Sequence, residues 1–233
     1  MKQIRPFVDT RLAYFCVFCD GVPDTRDHVP PRIFLDEPYP ENLPVVLSCR
    51  SCNEGASLDE EYVACLLEVA SCGSTNPTDL RRGKITRTLR IKPILTVRLA
   101  NSLRATGKFV VSGADMVRVS RVVEKIARAL WAFETGQPTG HAAVASRCVP
   151  VASLGAPELD AFRQLANSGL LPEVGSRMMF RFLGTAGQPV ANSWMDVQAG
   201  RFSYAVEVFG NAGRIKMVLG NFLAVEVDLN FYA

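Results

Sequence analysis

The chain has 233 residues, seven cysteines, two histidines and a formal net charge of +3, with 48% hydrophobic residues. That is enough apolar material for a sizeable core, and no apolar run approaches the roughly 20 residues of a membrane span. An odd cysteine number and the lack of a secretory-leader pattern argue against a disulfide framework and for a reducing, cytoplasmic setting.

The first informative stretch follows a short apolar patch, Leu12 to Phe18. It reads Cys16-Val17-Phe18-Cys19, then Asp27-His28-Val29-Pro30-Pro31, then Glu41-Asn42-Leu43-Pro44, then Cys49-Arg50-Ser51-Cys52-Asn53. Two Cys-x-x-Cys pairs are the usual way to hold one structural zinc tetrahedrally, each pair forming a tight knuckle. Residues 20 to 48 are longer than the spacer of a simple zinc ribbon, so something is inserted between the knuckles. Four chance core cysteines would share the count but not the paired spacing, and a redox Cys-x-x-Cys would account for one pair only.

The insert carries a candidate reactive group. The His28 imidazole titrates near neutral pH and can act as a general base. Asp27 is its neighbour, so in an extended strand the two side chains point to opposite faces. A metal ligand beside a base therefore requires a strand end or turn, and Val29-Pro30-Pro31 supplies a break there. A solvated loop histidine is the plain alternative.

The ordered set of Asp27-His28, Asn42 and Asn53, between and just after two Cys-x-x-Cys knuckles, resembles the HNH nuclease family of the ββα-metal fold. The resemblance covers about residues 14 to 60. It implies that His28 is the base, that Asp27 and Asn53 hold a catalytic Mg²⁺ or Mn²⁺, and that Asn42 braces the loop carrying the base. Oxygen ligands of this kind suit such hard cations. It also implies hydrolysis of DNA, double-stranded above all, to 5′-phosphate and 3′-hydroxyl ends, in the manner of host-defence or mobile-element nucleases. Many members carry Lys or His shortly after the last motif residue, whereas here Asn53 is followed by Glu54-Gly55-Ala56-Ser57.

Val45-Val46-Leu47 is a short β-branched run leading into the second knuckle. Ser57-Leu58-Asp59-Glu60 has the pattern of a capping box. Leu58, Tyr62, Cys65, Leu66 and Val69 then recur at helical spacing on one apolar face, so Cys65 is read as core. Gly55 implies either a turn between two helices or one kinked helix. Residues 73 to 79 are the best linker, which divides the chain into a zinc-stapled unit (1–75) and an α+β unit (76–233) with its own core.

Charge is unevenly spread. Residues 1 to 75 hold six basic and twelve acidic side chains, whereas Leu80 to Ala114 holds nine basic ones and no acid. An acidic metal site needs cationic surface elsewhere to hold a polyanion, and Arg81, Arg82, Lys84, Arg87 and Arg90 are candidates for contacting phosphate. A merely solvated face would look the same.

Asp115 to Glu134 reads as a helix with the stripe Val119, Val122, Val123, Ile126 and Leu130, stopped at Gly136. A second helix runs from about Pro157 to Ala166. Met178, Phe180 and Phe182 alternate as in a strand. Phe202–Phe209, Arg214–Leu219 and Phe222–Leu229, separated by Gly210-Asn211-Ala212-Gly213 and Gly220-Asn221, predict a three-stranded antiparallel meander. His141, Cys72 and Cys148 have no evident chemical role. The whole is α+β: a small ββα-metal unit followed by an α+β unit. The sequence thus points to an HNH-type endonuclease. The alternatives are a non-catalytic zinc-finger module binding nucleic acid or protein, and an effector whose meander senses a protein partner and restrains the nuclease.

Overall fold

The computed structural model describes residues 14–41, 43–104, 113–137, 139–140, 142–166, 170–183 and 193–231. Asn42, His141 and Lys108 lie outside the described residues. The fold is α+β, as the sequence predicts.

Strand β1 (Thr25–His28) pairs antiparallel with β2 (Val45–Ser48), in a register that sets Asp27 opposite Val46 and His28 opposite Val45. Helix α1 (Arg50–Gly55) follows directly. Ala56 separates it from α2 (Ser57–Cys72), so the chain makes two helices at this point. The predicted capping box does not form. The N-cap of α2 is Ala56, without a side-chain cap bond. The acids of that pattern are instead drawn into tertiary pairs, Asp59 with Arg118 at 2.6 Å and Glu60 with Lys125 at 2.7 Å. Tyr62, Cys65, Leu66 and Val69 are buried as expected, whereas Leu58 is exposed.

Helices α3 (Gly83–Ile91) and α4 (Pro93–Arg104) form the basic stretch. The start of α3 is held by buried Glu68, whose Oε1 accepts the backbone N–H groups of Arg81 and Arg82 at 2.8 and 2.9 Å. This carboxylate from another helix satisfies orphan donors that no local side chain caps.

Helix α5 (Gly113–Thr135) is the spine of the molecule. Its predicted stripe is buried, and so are Ala127, Ala129, Trp131 and Phe133. It packs on α2, on β2 and on the large sheet. Over residues 122–135 none of its side chains is exposed, which sets this half of the helix in the middle of the fold. Among the described residues, one hydrophobic cluster joins Val29, Leu43, Tyr62 and Leu66 to Ile126, Leu130, Met217 and Val225. Residues on both sides of the expected boundary at 73–79 thus pack into the same cluster. The linker crosses the surface of one continuous core, because α5 fills the groove that both parts leave open.

Strand β3 (Ala143–Pro150) leads to α6 (Ala156–Arg163) and α7 (Arg177–Leu183). Then come β4 (Met195–Gln198), β5 (Phe202–Phe209), β6 (Ala212–Leu219) and β7 (Leu223–Asn230). They form an antiparallel sheet in the order β3-β7-β6-β5-β4. The predicted meander is its centre, flanked by two half-buried edge strands whose residues carry little periodic signal. One face covers α5; the other carries Phe162 of α6 against Val218 and Ala224.

Residues 178 to 182 are helical, contrary to the strand predicted from their alternation. Ser176 caps this turn, its Oγ accepting the Met179 N–H at 3.0 Å. The helix sets Arg177 and Arg181 one turn apart, and both reach the fully buried Glu134 at 3.4 and 3.1 Å. A period of two over five residues is too short to decide against such a cap and ion pair.

The sheet approaches α5 closely at Gly213. A Cβ there would lie 2.1 Å from Trp131 Cζ3. Trp131 is itself buried and cannot swing aside. Gly213→Ala should therefore cost about 1–3 kcal/mol through overpacking, seen as a lowered midpoint in urea denaturation.

Candidate functional site

The four knuckle cysteines come together. Their sulfurs all lie within 4.8 Å of one another, and this is the single such cluster of His, Cys, Asp or Glu among the described residues. Two short turns make the geometry. In the first, the Asp20 N–H bonds Cys16 O at 3.0 Å and the Cys16 N–H bonds Gly21 O at 2.7 Å. In the second, Cys49 is the N-cap of α1 and the Asn53 N–H bonds Cys49 O at 3.0 Å. Asp24, which has no signature in the sequence, reaches across to accept the Arg50 N–H at 2.6 Å and so anchors the start of α1.

The thiols are tuned unequally. The Ser51 hydroxyl, the Cys52 backbone N–H and the Cys52 thiol lower Cys49 to about 6, so it ionises first. Burial and the neighbouring Cys49 and Cys19 sulfurs raise Cys52. A second thiolate is thus costly until a cation shares the site. This arrangement can hold one metal ion with a preference for sulfur, and loading it releases protons.

The hairpin and α1 bring the other motif residues alongside. Asn53 turns its Nδ2 toward β1, 3.3 Å from Thr25 Oγ1 and 3.4 Å from Arg26 O. Its amide oxygen takes no part in those two bonds. His28 is the last residue of β1 and half-buried. Its Nε2 is buried without a hydrogen-bond partner. Burial, reinforced by the nearby Arg32 charge and opposed by Asp27, lowers the imidazole below its ordinary value. The ring is therefore neutral at pH 7 with a nitrogen uncommitted.

Asp27 faces the other way, as strand geometry requires. It is 7% exposed, and its Oδ2 lies 2.6 Å from Lys125 Nζ. The same ammonium donates to Glu60 Oε1 at 2.7 Å. Burial alone would lower Lys125, but the two carboxylates outweigh it and the group is raised, so it stays charged. Burial also raises Glu60, against the pull of Lys125. No sequence motif points to Lys125. Its link to Asp27 spans nearly a hundred residues.

The basic stretch divides by helical phase. Arg81, Lys84, Arg87 and Arg90 are exposed. Arg82 is not available to a ligand, which corrects the sequence reading. It is 8% exposed, and its guanidinium bonds Asp36 Oδ1 at 2.8 Å, Ile33 O at 2.8 Å and Leu35 O at 2.7 Å. Asp36 also takes Arg201 at 2.5 Å, so Asp36 links the start of α3 to the turn before β5 of the large sheet. Sequence reasoning missed Tyr39. The Arg32 guanidinium stands 5.7 Å and Lys84 Nζ 5.8 Å from its ring centre. These two exposed cations connect the surroundings of His28 to α3.

Elemental analysis of the purified protein should find one sulfur-ligated metal ion per chain. Cys49→Ser should lose it and loosen residues 14 to 60, read as faster amide exchange there. Soluble, folded wild type without metal would contradict the assignment.

Comparison with protein-family models, with characterised proteins and with solved structures finds no match for the chain.

Proposed function

We propose that the protein is a metal-dependent HNH-type endonuclease hydrolysing DNA, with structural zinc at Cys16, Cys19, Cys49 and Cys52. The observation that carries this reading is His28. A buried imidazole nitrogen with no partner costs about 1–3 kcal/mol, and such a group calls for an explanation. A water or substrate that supplies the missing partner is one. The ring stands at the end of β1 in an antiparallel hairpin followed at once by a helix, and the four cysteines at the other end of that hairpin favour zinc by their ligand chemistry.

The oxygens of Asp27 and Asn53 suit Mg²⁺ or Mn²⁺ by donor type. Asp27 would have to share its carboxylate between such an ion and Lys125. Asp27 and Asn53 would hold such a cation, and it would supply neutralisation of charge at the departing 3′ oxygen. The residues of the chain do the rest. Neutral His28 takes a proton from water as the water oxygen forms its bond to phosphorus, in line with the P–O3′ bond that breaks. Asn53, held against β1 through Thr25 and Arg26, keeps its orientation during that step. Arg32, Lys84, Arg81, Arg87 and Arg90 would lie under the phosphate backbone and position it without activating water. Asn42 keeps its proposed bracing role from the family resemblance.

The second reading is a zinc-stapled binding module without catalysis. The observation favouring it is that Asp27 already has a charged partner, which a purely structural residue would also have.

Plasmid nicking with Mg²⁺ or Mn²⁺, with EDTA as control, separates the two. His28→Ala should cut the rate by about 10²–10⁴-fold with metal content and fold unchanged. Because the His28 value is lowered, the wild-type rate should hold as pH falls to the usual imidazole range near 6.5 and drop only below it. Undiminished cleavage by purified His28→Ala, or no cleavage by wild type, would favour the binding module.

The cationic surface has its own test. Replacing Arg81, Lys84 and Arg87 together by Gln should weaken binding to all duplexes alike. It should also flatten the slope of log K against log salt by roughly 0.9 per lost contact. Equal slopes in a fluorescence-anisotropy titration would place DNA capture on another face.

A further inference from the structure

Lys125 is the feature that the HNH-like motif does not explain. It comes from the middle of α5, far along the chain from the hairpin, yet its ammonium sits 2.6 Å from Asp27 and 2.7 Å from Glu60. All three side chains are about nine-tenths buried, at 11%, 9% and 12% exposure. An ammonium among two carboxylates carries the charge that a bound cation would otherwise bring.

We infer that Lys125 is the resident counter-ion of Asp27 and competes with divalent cations for it, while Glu60 receives the ammonium when a cation takes its place. The inference rests on reading Asp27 as a cation ligand. Two points of geometry support it. First, Lys125 has two acceptors, so losing Asp27 does not strand its charge in the interior, which would be very costly. Second, the lysine reaches the site from the helix that also packs on the large sheet. A shift of α5 relative to β1 would therefore change cation affinity at Asp27, and the sheet side of the molecule can act on the hairpin. Lys125 is thus a positioning residue for Asp27 and takes no part in proton transfer.

The test uses full-length protein with its cysteine cluster loaded with Zn²⁺, titrated with Mn²⁺ and read by the electron paramagnetic resonance of the free ion. Lys125→Met should tighten Mn²⁺ binding at least tenfold, because a buried pair of acids is left without its cation. Glu60→Gln should weaken binding severalfold, because Lys125 is then held by Asp27 alone. Adding Asp27→Asn to Lys125→Met should abolish the gain. If Lys125→Met folds poorly, Mn²⁺ should raise its melting temperature while leaving that of the Asp27→Asn double variant unmoved. A merely structural ion pair would show no gain in Mn²⁺ affinity for Lys125→Met, or a gain that survives Asp27→Asn, and either result overturns the inference. Nicking by wild type and His28→Ala is measured separately. A chain that cleaves nothing but shows tighter Mn²⁺ binding in Lys125→Met and weaker binding in Glu60→Gln refutes the nuclease and keeps the competition.

Discussion

Over residues 122–135 helix α5 has no exposed residue, yet it carries charge into the interior. It does so by giving Lys125 and Glu134 two counter-charges each. Lys125 is held between Asp27 and Glu60. Glu134, one end along, accepts the Tyr204 hydroxyl at 2.5 Å and faces Arg177 and Arg181. Apolar contact around α5 supplies most of the driving force for folding, since it is proportional to the area removed from water. The ion pairs add directional specificity, because a buried charge with one partner removed costs about 3–5 kcal/mol. Hairpin, α2, α7 and the sheet all take their positions from this helix.

One consequence concerns the small hairpin unit. A unit of that size with few apolar residues folds poorly by itself. Here it is held at two ends by different physics. The cysteine cluster fixes the chain entering β1 and leaving β2. Val29, Leu43 and Val46 join the common core on the other side. Thr139, just after α5, donates to Val17 O at 3.2 Å and closes the first knuckle onto the body. His28 lies between these two anchors. The proposed reaction would thus be run by a hairpin whose geometry is set jointly by a metal and by α5.

The charge asymmetry of the chain resolves into two kinds of contact. Part of the acidic N-terminal excess is neutralised from within: Asp36 by Arg82 and Arg201, Glu61 by Lys92, and Asp59 by Arg118. Arg81, Lys84, Arg87 and Arg90 are exposed at and along α3, whereas Arg98 of α4 pairs with buried Asp115 at 2.5 Å. Ile91 at the end of α3 and Ile94 and Val97 of α4 are exposed as well.

The local elements were legible in the amino-acid order. Paired Cys-x-x-Cys spacing implied the cluster, the stripe Val119 to Leu130 implied α5, and Gly-Asn turns implied the hairpins β5–β6 and β6–β7. Each of these signals is short-range: ligand spacing, a 3.6-residue period and backbone conformations that glycine and asparagine adopt readily. Signals of that kind also misled at Met178 to Phe182 and at Ser57 to Glu60, where two local structures fit the same residues. The tertiary structure decided the roles of the charged side chains. Whether Arg82 meets solvent or Asp36, whether Asp27 is paired with Lys125, and whether two expected units share one core all depend on which distant segments meet. Coulomb energy and burial depend on distance and surroundings, and those are fixed only when α5 closes over the hairpin.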